Sequence, residues 1–396
     1  MKKNVILFLC FAYFFVSCEE KNEIKIIPNP KPIDFRQSVS LKLGKTLRIS
    51  LDSLTAKPYK NINIYEDTEA NKDYLHFFNP NNYQIYFYDL ATEELAFTIK
   101  LESEGENGIG KNIEAYQIKN LDSIFVYNYP AELSIVNRQA KRLITLRVLD
   151  TSKRNTRLII PAPEISVASP IIFRDNVLIM NGYIGGELED ENAYNRPFVV
   201  YYNLKTQKLS YGASYTEAYQ NANWGGGRLR YSYATYNSDK ELIVYSLPVE
   251  HYLHSSKDGK NLEKHYAGSK YFDEIVSLDE PKSRPLEMWD SFAAYLERPS
   301  YSHVIYDKYR KVYYRLAELP IAKFQKDANP EKMVKRFSVI ILDDEFRYLG
   351  ERLMPSHYNK CLFVLREGLG FVKYIKNGGE DEAVFDIFKV VKKNEK

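Results

Sequence analysis

Histidine is the side chain best suited to acid–base chemistry and metal binding near neutral pH, and this chain of 396 residues has six. Two of them form an H-x-x-H spacing in Glu250-His251-Tyr252-Leu253-His254. Residues three apart share a face on a helix but point to opposite faces on a strand. The surrounding sequence predicts a strand, on which one zinc ion could not readily bind both rings. No zinc, calcium-loop or phosphate-loop motif occurs, and we predict no catalytic residue, no metal and no cofactor.

Acidic and glycine-rich segments are the next candidates. The four acidic residues of GGELEDEN (185–192) either supply oxygen ligands for calcium or cover a solvated loop. Neither GIGKN (108–112) nor WGGGR (224–228) fits a nucleotide-binding glycine loop. Paired carboxylates for glycoside cleavage cannot be placed without distances, so an enzyme that acts on polysaccharide remains an alternative.

Aromatic residues and arginines on the long connections are the best candidates for binding. Both tryptophans belong to this set, and aromatic rings with arginine are typical of binding hot spots. Exposed aromatic rings also suit sugars, whereas the alternative is that the tryptophans only pin long loops to the core. The predicted ligand-binding residues are Tyr194, Arg196, Tyr219, Trp224, Arg228, Trp289 and Tyr295.

Short strands must position these residues. With 33 Tyr and 21 Phe but 2 Trp, the composition favours sheets. Alternating or β-branched runs occur throughout, and one helix is predicted near 285–296. A strand, a polar turn and a second strand recur in YDLATEELAFTI, VNRQAKRLITL, YNLKTQKLSY, HSSKDGKNLEKHY and ILDDEFRYLGE.

This recurrence predicts an all-β chain folded as a β-propeller, since 40–50 residues is the period of a four-stranded blade. The predicted blades span 61–100, 113–149, 165–213, 228–269 and 301–354, and a sixth unit follows from residue 361. That unit is one strand short, and SLKLGKTLRISLD (40–52) can complete it and close the ring. Seven blades or two packed sheets are the alternatives.

Four long connections are predicted on one face of such a ring, because they join second to third strands or one blade to the next. These are 185–196, 216–227, 270–300 and 321–335. Binding residues tend to lie on loops that a rigid scaffold carries. We therefore predict that this face is the working face.

The first residues predict export. Two lysines, about a dozen apolar residues and Phe15-Val16-Ser17-Cys18 form a segment too short to span a bilayer but typical of a signal peptide. The last four of these residues resemble the lipobox of bacterial lipoproteins, in which the cysteine carries a diacylglyceryl group. An ordinary cleaved signal is the alternative. The predicted organisation is a signal peptide (1–17), the lipidated Cys18 with a proline-containing tether (18–35), and one propeller domain (36–396).

Charge and cysteine content limit the partners. Removal of residues 1–17 lowers the formal charge from +3 to about +1, and such a balance predicts no nucleic-acid partner. The mature chain would keep Cys361 as its one cysteine besides the anchor, so no internal disulfide is predicted. Cys361 is expected in a buried strand.

The segments FVSCEE, RLRYSYATYNSD (228–239) and YDKYRKVYYRL (306–316) carry a resemblance to a family of gut-bacterial lipoproteins of unknown function. The resemblance implies a six-bladed propeller, and the acidic residues after Cys18 resemble an export signal to the outer face of the outer membrane. The family resemblance implies no activity. We predict a lipid-anchored module that binds a glycan or an envelope protein; the alternatives are a polysaccharide-active enzyme and a structural subunit of an outer-membrane complex.

Overall fold

The computed structural model describes eight ranges of the chain: 24–55, 60–128, 132–150, 160–183, 196–279, 286–326, 333–375 and 381–393. Cys18, Tyr194 and the acidic segment 185–192 lie outside the described residues. Within these ranges, no helix has both the length and the apolar character needed to cross a membrane.

Six small antiparallel sheets form a six-bladed β-propeller, which confirms the predicted fold. Blade 1 contains β3 (Lys60–Asp67), β4 (Lys72–Asn79), β5 (Gln84–Asp89) and β6 (Glu94–Lys100). Blade 2 contains β7 (Ile113–Asn120), β8 (Ser123–Asn128), β9 (Glu132–Val136) and β10 (Arg142–Arg147). Blade 3 contains β11 (Ala162–Pro163), β12 (Ile172–Arg174), β13 (Val177–Tyr183), β14 (Pro197–Asn203) and β15 (Lys208–Ser214).

The other three blades follow the same order. Blade 4 contains β16 (Tyr233–Asn237), β17 (Leu242–Ser246), β18 (Tyr252–Ser256) and β19 (Glu263–Tyr266). Blade 5 contains β21 (Ser300–Asp307), β22 (Val312–Glu318), β23 (Phe337–Asp343) and β24 (Tyr348–Leu353). Blade 6 contains β25 (Tyr358–Leu365), β26 (Gly368–Lys373), β27 (Glu382–Lys392) and β2 (Val39–Ser50).

The recurring polar turns have a common physical cause. An Asp or Asn ends a strand, and its side-chain oxygen accepts backbone N–H groups two or three residues later, which is an Asx turn. Asn203 Oδ1 accepts from Lys205 N at 3.0 Å and Thr206 N at 2.9 Å. Asp307 Oδ1 likewise accepts from Tyr309 N and Arg310 N, both at 3.0 Å. These turns explain why the Tyr-Asp and Tyr-Asn pairs mark blades in the sequence.

The ring is closed by the N-terminal strand, as predicted. β2 pairs antiparallel with β27 from Val39 opposite Lys392 to Ser50 opposite Glu382, and it is the outermost strand of blade 6. Leu47 and Ile49 of β2 are 3% exposed and pack in the core between blades 6 and 1. Closure leaves the last sheet with its full set of four strands.

A segment before β2 fastens the outside of the ring. β1 (Ile26–Pro28) lies within the predicted tether and pairs with β20 (Glu274–Val276) in the connection between blades 4 and 5. The Asn29 amide donates to the carbonyl oxygens of Ser269 at 2.7 Å and Phe272 at 3.0 Å. We call residues 24–37 the N-terminal strap.

In the described residues, the long connections lie on one face, which we call the long-loop face. It carries the loops between second and third strands and the connections between blades. Two 3₁₀ turns of the described residues, Glu217–Tyr219 and Gly227–Leu229, lie in the connection from blade 3 to blade 4. The one α-helix of the described residues, α1 (Met288–Leu296), lies in the connection from blade 4 to blade 5, close to its predicted position.

Candidate functional site at the channel mouth

A cavity of about 300 Å³ opens where the inner strands reach the long-loop face. Its volume is at the lower end of the range for small-molecule sites. We call it the channel mouth. Its lining residues are Asn61, Ser166, Val167, Ala168, His303, Asn359, Lys360, Cys361 and Leu362.

A buried carboxylate lies beside this cavity. Glu318 ends β22, is 1% exposed, and has two lysine partners. Lys360 Nζ lies 2.9 Å from Glu318 Oε1, and Lys335 Nζ lies 3.8 Å from Oε2. The Tyr295 hydroxyl also donates to Glu318. Burial would raise the pKa of the Glu318 carboxyl, but the charges of Lys360 and Lys335 together hold that pKa well below its usual range.

Lys335 is buried, which is rare for a lysine unless its ammonium group has hydrogen-bond acceptors. Its Nζ donates to the carbonyl oxygens of Arg298 at 2.7 Å and Tyr295 at 3.1 Å and to Ser300 Oγ at 2.7 Å. Burial lowers the pKa of Lys335 to about 7, even though Glu318 acts to raise it. The site therefore holds a lysine whose charge changes near neutral pH.

Lys360 connects the buried carboxylate with the cavity. Its side chain is 30% exposed and lines the channel mouth, while its Nζ donates to Glu318 and, at 2.8 Å, to the Tyr295 hydroxyl. Two lysines thus accompany one carboxylate, so the cluster carries excess positive charge below about pH 7, where Lys335 is protonated. An anionic group in the cavity would meet that charge directly.

His303 also lines the cavity. Its ring stacks on Tyr233 with centroids 5.3 Å apart, and its buried Nδ1 has no hydrogen-bond partner in the described structure. Burial lowers the pKa of His303 to about 4, so the ring is neutral at pH 7. A neutral imidazole can donate or accept one hydrogen bond, which suits a hydroxyl or an amide of a ligand.

The predicted tryptophan and tyrosine of the blade 3–4 connection lie in the core. Trp224 is 1% exposed, and its Nε1 donates to the Ala218 carbonyl at 3.1 Å. Tyr219 is also buried and donates to the Leu229 carbonyl at 3.1 Å. Neither ring can stack on a ligand at the surface. Both rings hold the connection from blade 3 to blade 4 against the core.

The glycines after Trp224 let that loop pass beneath helix α1. Gly225 and Gly226 have φ of +72° and +105°, in the left-handed region that side chains rarely adopt. A Cβ on Gly225 would lie 2.6 Å from the Ala294 side chain, and one on Gly226 would lie 2.5 Å from Ser291 Oγ. The glycine-rich sequence therefore serves close packing, and it presents Arg228 beyond the loop.

Three predicted residues do come together near the channel mouth. The Arg228 guanidinium lies 5.6 Å from the ring centre of Tyr295 and 5.1 Å from that of Phe292. Trp289 contacts the same Phe292 edge-on, with centroids 6.5 Å apart. Tyr295 then links this aromatic group to Glu318. Arg196 directly precedes β14 and is half-buried, and its carbonyl oxygen accepts from Tyr215 N at 3.2 Å.

Sequence reasoning missed Glu318, Lys335, Lys360 and His303. One signal was present for Glu318, because it follows the apolar run VYYRLA in a strand that is otherwise buried. Lys335 had none, since it stands in a polar loop. The two histidines of the H-x-x-H spacing have separate partners, as the strand prediction required: His251 bonds Tyr301, and His254 bonds Glu250. No group of three metal-ligating side chains occurs in the described ranges.

Comparison with known proteins identifies relatives of this fold. A family model described as "Domain of unknown function (DUF4221)" matches residues 38–353. The crystal structure of a DUF4221 member from Bacteroides vulgatus is 25% identical, with a TM-score of 0.77 over 90% of this chain and 100% of that one. A putative exported protein from Bacteroides fragilis is 10% identical, with a TM-score of 0.54 over 90% and 96%, which shows the fold alone. No curated protein matches the chain.

Proposed function

We propose, for this member of the DUF4221 family, a role as an exported, lipid-anchored binding module whose channel mouth takes an acidic sugar. The family description names no activity, and a shared fold does not supply one. The proposal therefore rests on the site itself. The observation that carries it is the position of Lys360, which joins the buried Glu318–Lys335 pair to a cavity lined with neutral polar and apolar groups.

The polar part of the lining suits a sugar, and Val167, Ala168 and Leu362 offer apolar contacts for the faces of its ring. The amides of Asn61 and Asn359, the Ser166 hydroxyl and the neutral His303 ring can exchange hydrogen bonds with hydroxyl groups. The Lys360 ammonium can pair with a carboxylate or phosphate on the same ligand. The described lining contains no carboxylate, so nothing in it favours an enzyme that cleaves polysaccharide.

Lipid attachment is the second part of the proposal. It is supported by the Phe15-Val16-Ser17-Cys18 pattern behind a short apolar segment. The fold neighbour from Bacteroides fragilis is itself named an exported protein. Mass spectrometry of the full chain made in a bacterium that processes lipoproteins should show a diacylglyceryl group on Cys18. The same protein with Cys18→Ala should carry none.

Thermal unfolding tests the binding site directly. A ligand at 100 times its dissociation constant adds about 2.7 kcal/mol to the free energy of unfolding, which moves the midpoint by a few degrees. We expect a rise with uronic-acid oligosaccharides and none with the matching neutral oligosaccharides.

Lys360→Met should remove this rise. Lys323→Met is the matched control, because Lys323 is exposed on the β22–β23 connection of the same face, outside the cavity. An equal response of wild type and Lys360→Met to the acidic sugar would refute the site. A response to neither sugar class would favour the alternative of a partner protein.

A further inference from the structure

Exposed apolar side chains concentrate on the long-loop face. Thirteen large apolar residues of the described ranges are strongly exposed. Four of them lie on the outer strands β2, β6 and β10, and none lies in the turns of the opposite face. The nine on the long-loop face or on β1 are Ile24, Ile26, Leu54, Tyr271, Met288, Trp289, Val334, Tyr374 and Ile375. Single exposed apolar residues are common on protein surfaces, so the candidate contact is helix α1, where the exposed Met288 and Trp289 are adjacent.

Helix α1 gives this face the composition of a membrane-interface contact. Met288 is 73% exposed and Trp289 41%. The Trp289 ring stacks on Phe324 with centroids 6.2 Å apart, and the Lys326 ammonium lies 5.9 Å from the Trp289 ring centre. Tryptophan is enriched at the headgroup level of bilayers, and lysine side chains extend toward the polar interface.

The N-terminal strap begins at the same face. The Lys25 backbone N–H donates to Ser277 Oγ at 2.8 Å, and Lys25 Nζ donates to the Gln220 carbonyl at 3.0 Å. Both partners belong to connections of the long-loop face. Ile24 is therefore held there, and only six residue steps separate it from Cys18. A fully extended chain of that length spans about 20 Å.

We propose that the long-loop face lies against the bilayer that holds the Cys18 lipid, with Trp289 at the level of the headgroups. This rests on the lipid attachment proposed above. The short tether selects the bilayer over a free partner as occupant of the apolar surface, because the surface cannot move far from the membrane. The channel mouth opens on this face, so its ligand has to reach the cavity between the ring and the bilayer.

The two tryptophans of the chain allow a direct test. The full chain, made in a lipoprotein-processing bacterium, is placed in phosphatidylethanolamine–phosphatidylglycerol vesicles with or without brominated acyl chains, which quench nearby tryptophans. In the Trp224→Phe protein, which keeps Trp289, we expect emission to fall in brominated vesicles. In the Trp289→Phe protein, the buried Trp224 should emit equally in both.

A reporter on the opposite face completes the design. Gln139 is exposed in the β9–β10 turn, and Gln139→Trp in the Trp289→Phe background should show no quenching. Unchanged Trp289 emission in a protein whose mass shows the Cys18 lipid overturns the orientation and leaves the lipid attachment standing. Quenching at position 139 but not at 289 overturns it in the same way. Absence of the lipid from the mass overturns both proposals.

Discussion

Glu318 and Lys335 form the buried ion pair beside the channel mouth, and removing one charge should cost more than removing both. Lys335 Nζ lies 3.8 Å from Glu318 Oε2, and Coulomb's law with an effective dielectric constant of about 20 gives roughly 4 kcal/mol of attraction. Glu318→Gln leaves the Lys335 ammonium buried without its partner. A loss of about 3–5 kcal/mol in the free energy of unfolding is expected for such a change.

The double variant Glu318→Gln, Lys335→Met leaves no charge at either buried position. Replacing a buried pair by groups of similar volume without charge is often neutral or stabilising. We expect the double variant to be more stable than Glu318→Gln, with a coupling energy of about 2–3 kcal/mol in the double-mutant cycle. Lys360 remains, but its side chain is 30% exposed and reaches water.

Urea unfolding followed by tryptophan fluorescence, with refolding checked, measures all four proteins. The pH decides the size of the coupling. Burial lowers the folded-state pKa of Lys335 to about 7, so the pair is charged at about pH 6 and loses the lysine charge by about pH 9. The coupling should therefore shrink as the pH rises. The reasoning would be refuted if, at about pH 6, the stability losses of Glu318→Gln and Lys335→Met add up to that of the double variant within about 0.5 kcal/mol.

Three further predictions concern burial, ring closure and acid stability. Trp224→Ala should cost about 3–5 kcal/mol in urea unfolding, and a cost as small as that of the exposed Trp289→Ala would contradict the burial argument. Leu47→Ala should lower the free energy of unfolding by about 2–5 kcal/mol. Leu43 lies on the same strand but is 47% exposed, so Leu43→Ala should lower it far less. Equal losses would show that β2 does not bury its inward face. Burial lowers the pKa of His76 to about 3, so its neutral ring stabilises the fold fully above pH 6.5 and progressively less as the pH falls toward 3. Between those values the free energy of unfolding should fall by about 1.4 kcal/mol per pH unit for this ring, and His76→Gln should reduce the slope measured between pH 6.5 and 4.5.

The fold was predictable because its signals are local. Each Asx turn involves only about four consecutive residues, as in Asn203 to Thr206. The alternation of apolar and polar residues that predicts each strand lies directly beside the turn in the sequence. The missing strand of the last blade could be found by counting, since an open ring leaves two sheet edges unpaired. These features need no knowledge of which residues meet in space.

The site was less predictable because its contacts are not local. Glu318 meets Lys360 across the boundary between blades 5 and 6, and no spacing in the sequence encodes that distance. Trp224 shows the opposite difficulty. A tryptophan followed by three glycines suggests an exposed ring on a flexible loop. Instead, the glycines let the loop pass close beneath helix α1, and this passage buries Trp224.

The pairing of β2 with β27 also determines when the protein can become native during its synthesis. Val39 is synthesised long before its partner Lys392, because 353 positions of the chain separate the two residues. Until then β2 is a twelve-residue strand without a partner, and an unpaired strand invites pairing with another chain. Contacts between such distant residues also form slowly. β2 would thus stay open to pairing with other chains until β27 has been made, and a chain terminated before β27 could not complete blade 6.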